Sequence, residues 1–120
     1  MKKESGSAVV EFALVLPLIL VLLLGLVEVA VVARTEIQLV HATREGAREA
    51  AASPDTTRAA AAVRGALGSR GSAARIAVSR PATVGQSAVV TVSMPYRIVT
   101  PIFGGFTVTL TSRAVMRVER

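Results

Sequence analysis

The stretch that decides the fold is FALVLPLILVLLLGLVEVAVVA at residues 12–33, in which Glu28 is the one charged side chain. About 20 apolar residues in helical conformation span the hydrocarbon core of a bilayer, so this stretch is long enough to cross it. A buried helix of a soluble domain fits poorly, because a chain of 120 residues has too little remaining mass to cover a helix that is apolar on all faces. Pro17 and Gly25 are both tolerated in membrane helices. We therefore expect a transmembrane helix.

The helix is expected to continue beyond the membrane. From Arg34 to about Ala52, Gly46 is the one residue that favours a break. Apolar residues recur in this region at helical spacing, namely Ala33, Ile37, Val40, Ala47 and Ala51. We expect residues 35–52 to cover the rest of the domain through Ile37 and Val40.

A second helix is predicted from Pro54 to Leu67. Ser53 is expected to cap it, with Pro54 at the first helical position and Asp55 in the first turn. The sequence GSRGS at residues 68–72 is expected to form a flexible loop.

The remainder of the chain alternates with period two, the pattern of half-buried strands. Turn residues lie at Pro81–Gln86 and at Pro101–Gly105, and Pro95 makes the second strand an edge, or bulged, at that point. The predicted apolar faces are Ala74, Ile76 and Val78 in the first strand, Ala88, Val90, Val92, Met94 and Tyr96 in the second, and Phe106, Val108, Leu110, Ala114, Met116 and Val118 in the third. The predicted fold class is α+β, with a three-stranded antiparallel sheet covered by the exposed part of the long helix.

The composition argues against several classes of function. The chain has no cysteine, so disulfides and thiolate catalysis are excluded. The net charge is +6, but the arginines are scattered singly and aromatic residues make up only 3%, so no nucleic-acid partner is expected. Contact with membrane lipid or with an acidic partner accounts better for that positive charge. His41 and Asp55 are each the only residue of their type, and no phosphate loop, catalytic triad or metal-spaced cluster is present. We expect no enzyme, no cofactor and no metal site.

The motif with chemical meaning is GSAVVEF at residues 6–12, which follows Lys2 and Lys3 and leads into the apolar stretch. It resembles a type IV prepilin processing site: a glycine before the scissile bond, four small or apolar residues, then a glutamate at the fifth position of the mature chain. With Glu28 and the predicted αβ domain, the sequence resembles the TadE-like family of pseudopilins of the tight-adherence (Tad) system. The resemblance is specific at the N-terminus and rests on length and strand arrangement beyond it.

The resemblance implies a pilin-like fold and a role in assembling a Tad pilus. The implied partners are a prepilin peptidase, other pilins or pseudopilins and the Tad membrane assembly platform. It implies cleavage between Gly6 and Ser7, and it assigns Glu11, followed by Phe12, to setting the register of assembly by meeting a neighbour's N-terminus. Without such pairing, Glu11 is an interfacial acid just before the hydrocarbon.

The expected organisation is a leader at residues 1–6, a transmembrane helix at 7–33 and an extracytoplasmic αβ domain at 34–120. The chain is expected in the cytoplasmic (inner) membrane with its N-terminus in the cytoplasm. This orientation follows from the leader and the resemblance, because basic residues flank both ends of the apolar stretch and the positive-inside rule is indecisive.

Glu28 lies about 25 Å along the helix from Glu11 and approaches the outer boundary of the membrane. The two acids face different directions, so they are not expected to form one site. Two interpretations of Glu28 stay open. Its side chain reaches the outer headgroups, or it makes a helix–helix contact with another pseudopilin.

Two other classes of protein compete with the pseudopilin. A secretory signal peptide cut after Ala33 would leave a chain starting at Arg34, although this is expected to discard the inner half of the cover helix. A membrane-anchored extracytoplasmic binding domain without processing differs from the pseudopilin only through Gly6 and Glu11.

Overall fold

The computed structural model describes residues 2–98 and 105–119. The elements in chain order are helix α1 (Lys2–Ala52), helix α2 (Thr56–Leu67), a 3-10 turn (Gly68–Ala73), and strands β1 (Arg75–Ser79), β2 (Ser87–Ile98) and β3 (Phe106–Arg117). The molecule measures 82 × 22 × 17 Å, because α1 extends far beyond the folded domain. The predicted α+β class, with a long apolar helix, a second helix and a three-stranded sheet, is confirmed.

Helix α1 has 51 residues and runs without interruption through Pro17 and Gly46. Its end at Ala52 is the predicted one. Its N-terminal half is long and apolar enough to cross a membrane, and none of its most apolar segment is buried within the chain. Its C-terminal half packs against α2, β2 and β3. One helix therefore has two environments.

The face that α1 turns to the domain consists mostly of small residues. Leu39 is its one large apolar side chain that is fully buried, and the other buried residues are Thr35, Ala42, Thr43, Gly46, Ala47, Ala50 and Ala51. The prediction that Ile37 covers the domain is wrong, because Ile37 is 60% exposed, and Val40 is only partly buried. Ile37 lies on a different face of this helix. The face toward the domain has mostly small residues, which let the backbones approach closely.

Gly46 is the point of closest approach. A Cβ atom at this position would lie 2.4 Å from Val63 Cγ2 on α2 and 3.4 Å from both the Ala59 carbonyl oxygen and Val90 Cγ1. Protein interiors are close-packed, so no space remains there for a side chain. The junction of α1, α2 and β2 thus depends on the absence of a Cβ atom.

The C-terminal end of α1 is tied to the sheet. The last carbonyl groups of a helix lack partners within the helix. Here the Glu49 carbonyl accepts from the Ser53 amide at 2.9 Å, the Ala50 carbonyl from Arg80 Nε at 2.6 Å, and the Ala51 carbonyl from the Glu119 amide at 3.1 Å. The loop before β2 and the segment after β3 are both held at this end.

Helix α2 begins at Thr56, two residues later than predicted. Asp55, not Ser53, is its N-cap: Asp55 Oδ1 accepts from the Thr57 hydroxyl at 2.5 Å and from the Thr57 amide at 3.0 Å. Both hydrogen bonds lower the pKa of the Asp55 carboxyl, and the one from the Thr57 hydroxyl is the larger cause. Ser53 Oγ instead accepts from the Asp55 amide at 3.2 Å and orients the cap.

The predicted loop at residues 68–72 is a 3-10 turn. Gly71 is buried in it, and a Cβ there would lie 2.7 Å from the carbonyl oxygen of Arg64. The turn therefore rests directly on the backbone of α2, which explains why a glycine- and serine-rich sequence has a defined conformation here.

The sheet has the order β1-β2-β3 and is antiparallel throughout. The apolar face of β2 is buried from Ala88 to Met94, as predicted. Pairing between β1 and β2 ends at Arg75 and Ser93, so β2 is an edge at Pro95 on that side, and this prediction is also confirmed. On β3 the predicted face is only partly covered, since Phe106 is exposed and Val118 is buried. In the predicted turn at 101–105, residues 101–104 lie outside the described residues.

The expectation that signal-peptide cleavage would discard the inner half of the cover helix is not supported. The buried residues of α1 begin at Thr35, so cleavage after Ala33 would leave the buried face intact.

Replacing Gly46 by Val should destabilise the domain by about 1–3 kcal/mol, because the added side chain overpacks the junction of α1, α2 and β2. The matched control is Gly65→Val on α2, where no atom lies within 4 Å of an added Cβ. The control should change the free energy of unfolding by less than about 0.5 kcal/mol. Hydrogen exchange of β2 amides in detergent measures both effects. Equal protection in the two variants would contradict the close contact.

Candidate functional site

The predicted processing site lies in the first turns of α1. Gly6 and Ser7 are both exposed and helical, and no atom lies within 4 Å of the position of a Cβ on Gly6. Gly6 is therefore part of the continuous helix α1. Glycine inside a helix costs about 0.5–1 kcal/mol relative to alanine, so Gly6 is a locally weak point of the helix.

Glu11 and Phe12 follow one turn later and are exposed. Ser7 and Glu11 are four residues apart, a spacing that places their side chains on the same face of a helix, about 6 Å apart along the axis. Residues 4–20 of α1 are exposed, so no part of the folded domain covers this region. The side chains of Ser7 and Glu11 are therefore accessible from outside the chain.

Glu28 lies at the foot of the folded domain. It is half-buried and lines an open wedge of about 340 Å³ between α1 and the end of β2, together with Ile98, Val32 and Glu36. As predicted, Glu28 and Glu11 do not form one site in the structure. It adds a neighbour from the same chain, Ile98, which no sequence pattern indicated.

Sequence reasoning missed a polar contact between the 3-10 turn and α1. Arg70 Nη1 in the 3-10 turn donates to Thr35 Oγ1 of α1 at 2.5 Å, and Thr35 Oγ1 donates to the Val31 carbonyl at 2.9 Å. The two residues are 35 positions apart, and Thr35 is 1% exposed. Only the position of Arg70 between two glycines could have drawn attention to it.

The described residues contain no group of three histidine, cysteine or acidic side chains that could hold a metal. His41 is exposed on α1 and lines a shallow groove with Ile37, Val40 and Arg44. Asp55 caps α2.

Comparison with known proteins gives one match. The family model described as TadE-like protein matches residues 6–48, which confirms the resemblance over the segment from Gly6 to the buried part of α1. The matched family is associated with the Tad pilus. No curated protein and no solved structure matches the chain.

Proposed function

We propose that this chain, whose residues 6–48 match the TadE-like family, is a minor pseudopilin that assists assembly of a Tad-type pilus. In this proposal residues 1–6 are a leader, residues 7–33 are the transmembrane helix, and residues 34–120 are an extracytoplasmic domain. The N-terminus faces the cytoplasm, where the leader is cut, and the chain resides in the cytoplasmic membrane.

The observation that carries the proposal is where the family match begins. It starts at Gly6, includes Glu11 and the entire apolar stretch, and ends within the buried face of α1. The continuity of α1 supports the same assignment, because a pseudopilin must transmit the position of its membrane segment to its domain. In α1 no loop intervenes between the two.

The role of Glu11 follows from electrostatics. A charged side chain at membrane depth costs roughly 2.5–3.5 kcal/mol unless it is paired or near the interface. Cleavage after Gly6 creates an amine on Ser7, within one helical turn of Glu11, so the two charges can compensate each other within one chain or between neighbours. Pairing of the two charges between neighbours fixes their relative height, with Phe12 packing beside the pair. The partners are then the prepilin peptidase, other pilins and the Tad assembly platform.

A second candidate is an extracytoplasmic binding domain released by cleavage after Ala33. The observation that favours it is the start of the buried face at Thr35, so such a cut would leave the buried face of the domain intact. Against it, cleavage there would leave the family match without its N-terminal half. A domain anchored without processing is the remaining alternative.

The first prediction concerns processing. In cells with a matching prepilin peptidase, the membrane-extracted protein should begin at Ser7, because Gly6 offers the peptidase an exposed and easily unwound site. Gly6→Leu should remain uncut and still inserted. Gly25→Leu, also at an open position in α1, should be cut normally. Intact-mass analysis decides: a chain starting at Arg34 would support the released domain, and an uncut chain the simple anchor.

The second prediction separates assembly from anchoring. Glu11→Gln keeps the shape of the side chain but leaves a neighbour's Ser7 amine uncompensated, so processing should persist while crosslinking to other pilins and piliation fall. The matched control is Glu4→Gln, which removes the same charge from a residue that leaves with the leader. Normal piliation with Glu11→Gln would rule out the register role.

A further inference from the structure

An open cavity of about 310 Å³ lies between α1 and the 3-10 turn, on a different side of α1 from the wedge at Glu28. Its polar wall is formed by Arg34, Gln38, Ser69 and Arg70 around the hydroxyl of Thr35. Its lower edge is Val31, which belongs to the apolar stretch. The cavity thus lies where the apolar helix meets the polar domain.

The lining of this cavity is strongly basic. It contains two guanidinium groups and no carboxylate, and in residues 2–98 and 105–119 no carboxylate forms an ion pair with Arg34 or Arg70. The bond to Thr35 uses one donor of Arg70, and an arginine side chain has five. The remaining donors of Arg70 and the guanidinium of Arg34 can converge on one anion.

Arg70 is held in place by contacts already described. Gly71 rests on the backbone of Arg64, which fixes the 3-10 turn against α2. The buried hydroxyl of Thr35 then anchors the guanidinium on α1. Such fixation lowers the entropy lost on ligand binding, because the side chain is ordered beforehand.

We propose that this cavity, called here the Arg34–Arg70 site, binds the phosphodiester of an anionic phospholipid in the leaflet next to the domain. Arginine is suited to phosphate because its planar fork donates two parallel hydrogen bonds. Basic pockets at headgroup height bind anionic lipids, and here Val31 and Leu67 offer apolar contact for the adjoining glycerol and acyl chain. The site rests on the membrane span of the proposed function but not on pilus assembly.

The test is lipid retention by the full chain, measured by native mass spectrometry after titration with phosphatidylglycerol or with phosphatidylcholine. The chain should retain phosphatidylglycerol preferentially. Arg70→Gln should weaken its affinity about tenfold, the effect of losing one charge-assisted hydrogen bond. Thr35→Val, which keeps both charges but removes the anchor of Arg70, should weaken it by a smaller factor. Arg113→Gln, an equal charge change on the exposed face of β3, is the matched control and should have no effect.

Equal retention by Arg70→Gln and Arg113→Gln would overturn the site. Competition with inorganic phosphate distinguishes the source of the ligand, and displacement of the lipid at equal concentrations of phosphate would overturn the lipid assignment. Hydrogen exchange of β2 amides verifies that each variant is folded. Carbonate-resistant membrane association is measured separately: its loss in the parent chain would refute the proposed function, whereas loss of lipid retention alone refutes only the site.

Discussion

The close contact at Gly46 is the constraint on which the structure depends. With no side chain at this position, the backbone of α1 lies directly against Val63 of α2 and near Val90 of β2. Apolar burial is the main favourable term in folding, and here small residues maximise it by letting elements approach closely. The domain is therefore built along the C-terminal half of α1 and is not attached to it by a linker. The position of the domain follows from the position of the helix.

Sequence patterns predicted the elements better than their contacts. The length and hydropathy of residues 12–33 indicated the helix, and period-two alternation indicated the strands and the buried face of β2, because both signals are local. The cover face of α1 was predicted only in part: Ala47 and Ala51 are buried as expected, but the exposed Ile37 gives a stronger apolar signal than Ala42 and Gly46. The contact between Thr35 and Arg70 was beyond prediction because it joins residues far apart in sequence through a turn that looked flexible. The motif at residues 6–12 was recognisable from sequence alone because its meaning lies in spacing and position.

Helix α1 carries groups of interest at three levels along its length. At the N-terminus are Gly6 and Glu11, whose proposed roles require only exposure and helical spacing. Where the apolar stretch meets the folded domain, Glu28 faces the wedge below β2, while the Arg34–Arg70 site faces another side of the helix. Above them, the carbonyl groups at the end of α1 hold Arg80 and the segment after β3. A change in the height of the helix in the bilayer would move all three levels together, because α1 has no break between them. In the proposed function, this continuity would let a charge pair at one end determine where the domain is presented.

The central claim is that a single helix crosses the membrane and then forms part of the domain. The chain has no cysteine, so a single cysteine carrying a nitroxide label can be introduced at exposed positions such as Val9, Leu23, Ile37 and Val115. In liposomes, the ratio of accessibility to oxygen over a water-soluble nickel reagent reports the depth of each label. The ratio should be highest at Leu23, fall toward Val9 and Ile37, and be lowest at Val115. A ratio at Leu23 no higher than that at Val115 would contradict the claim.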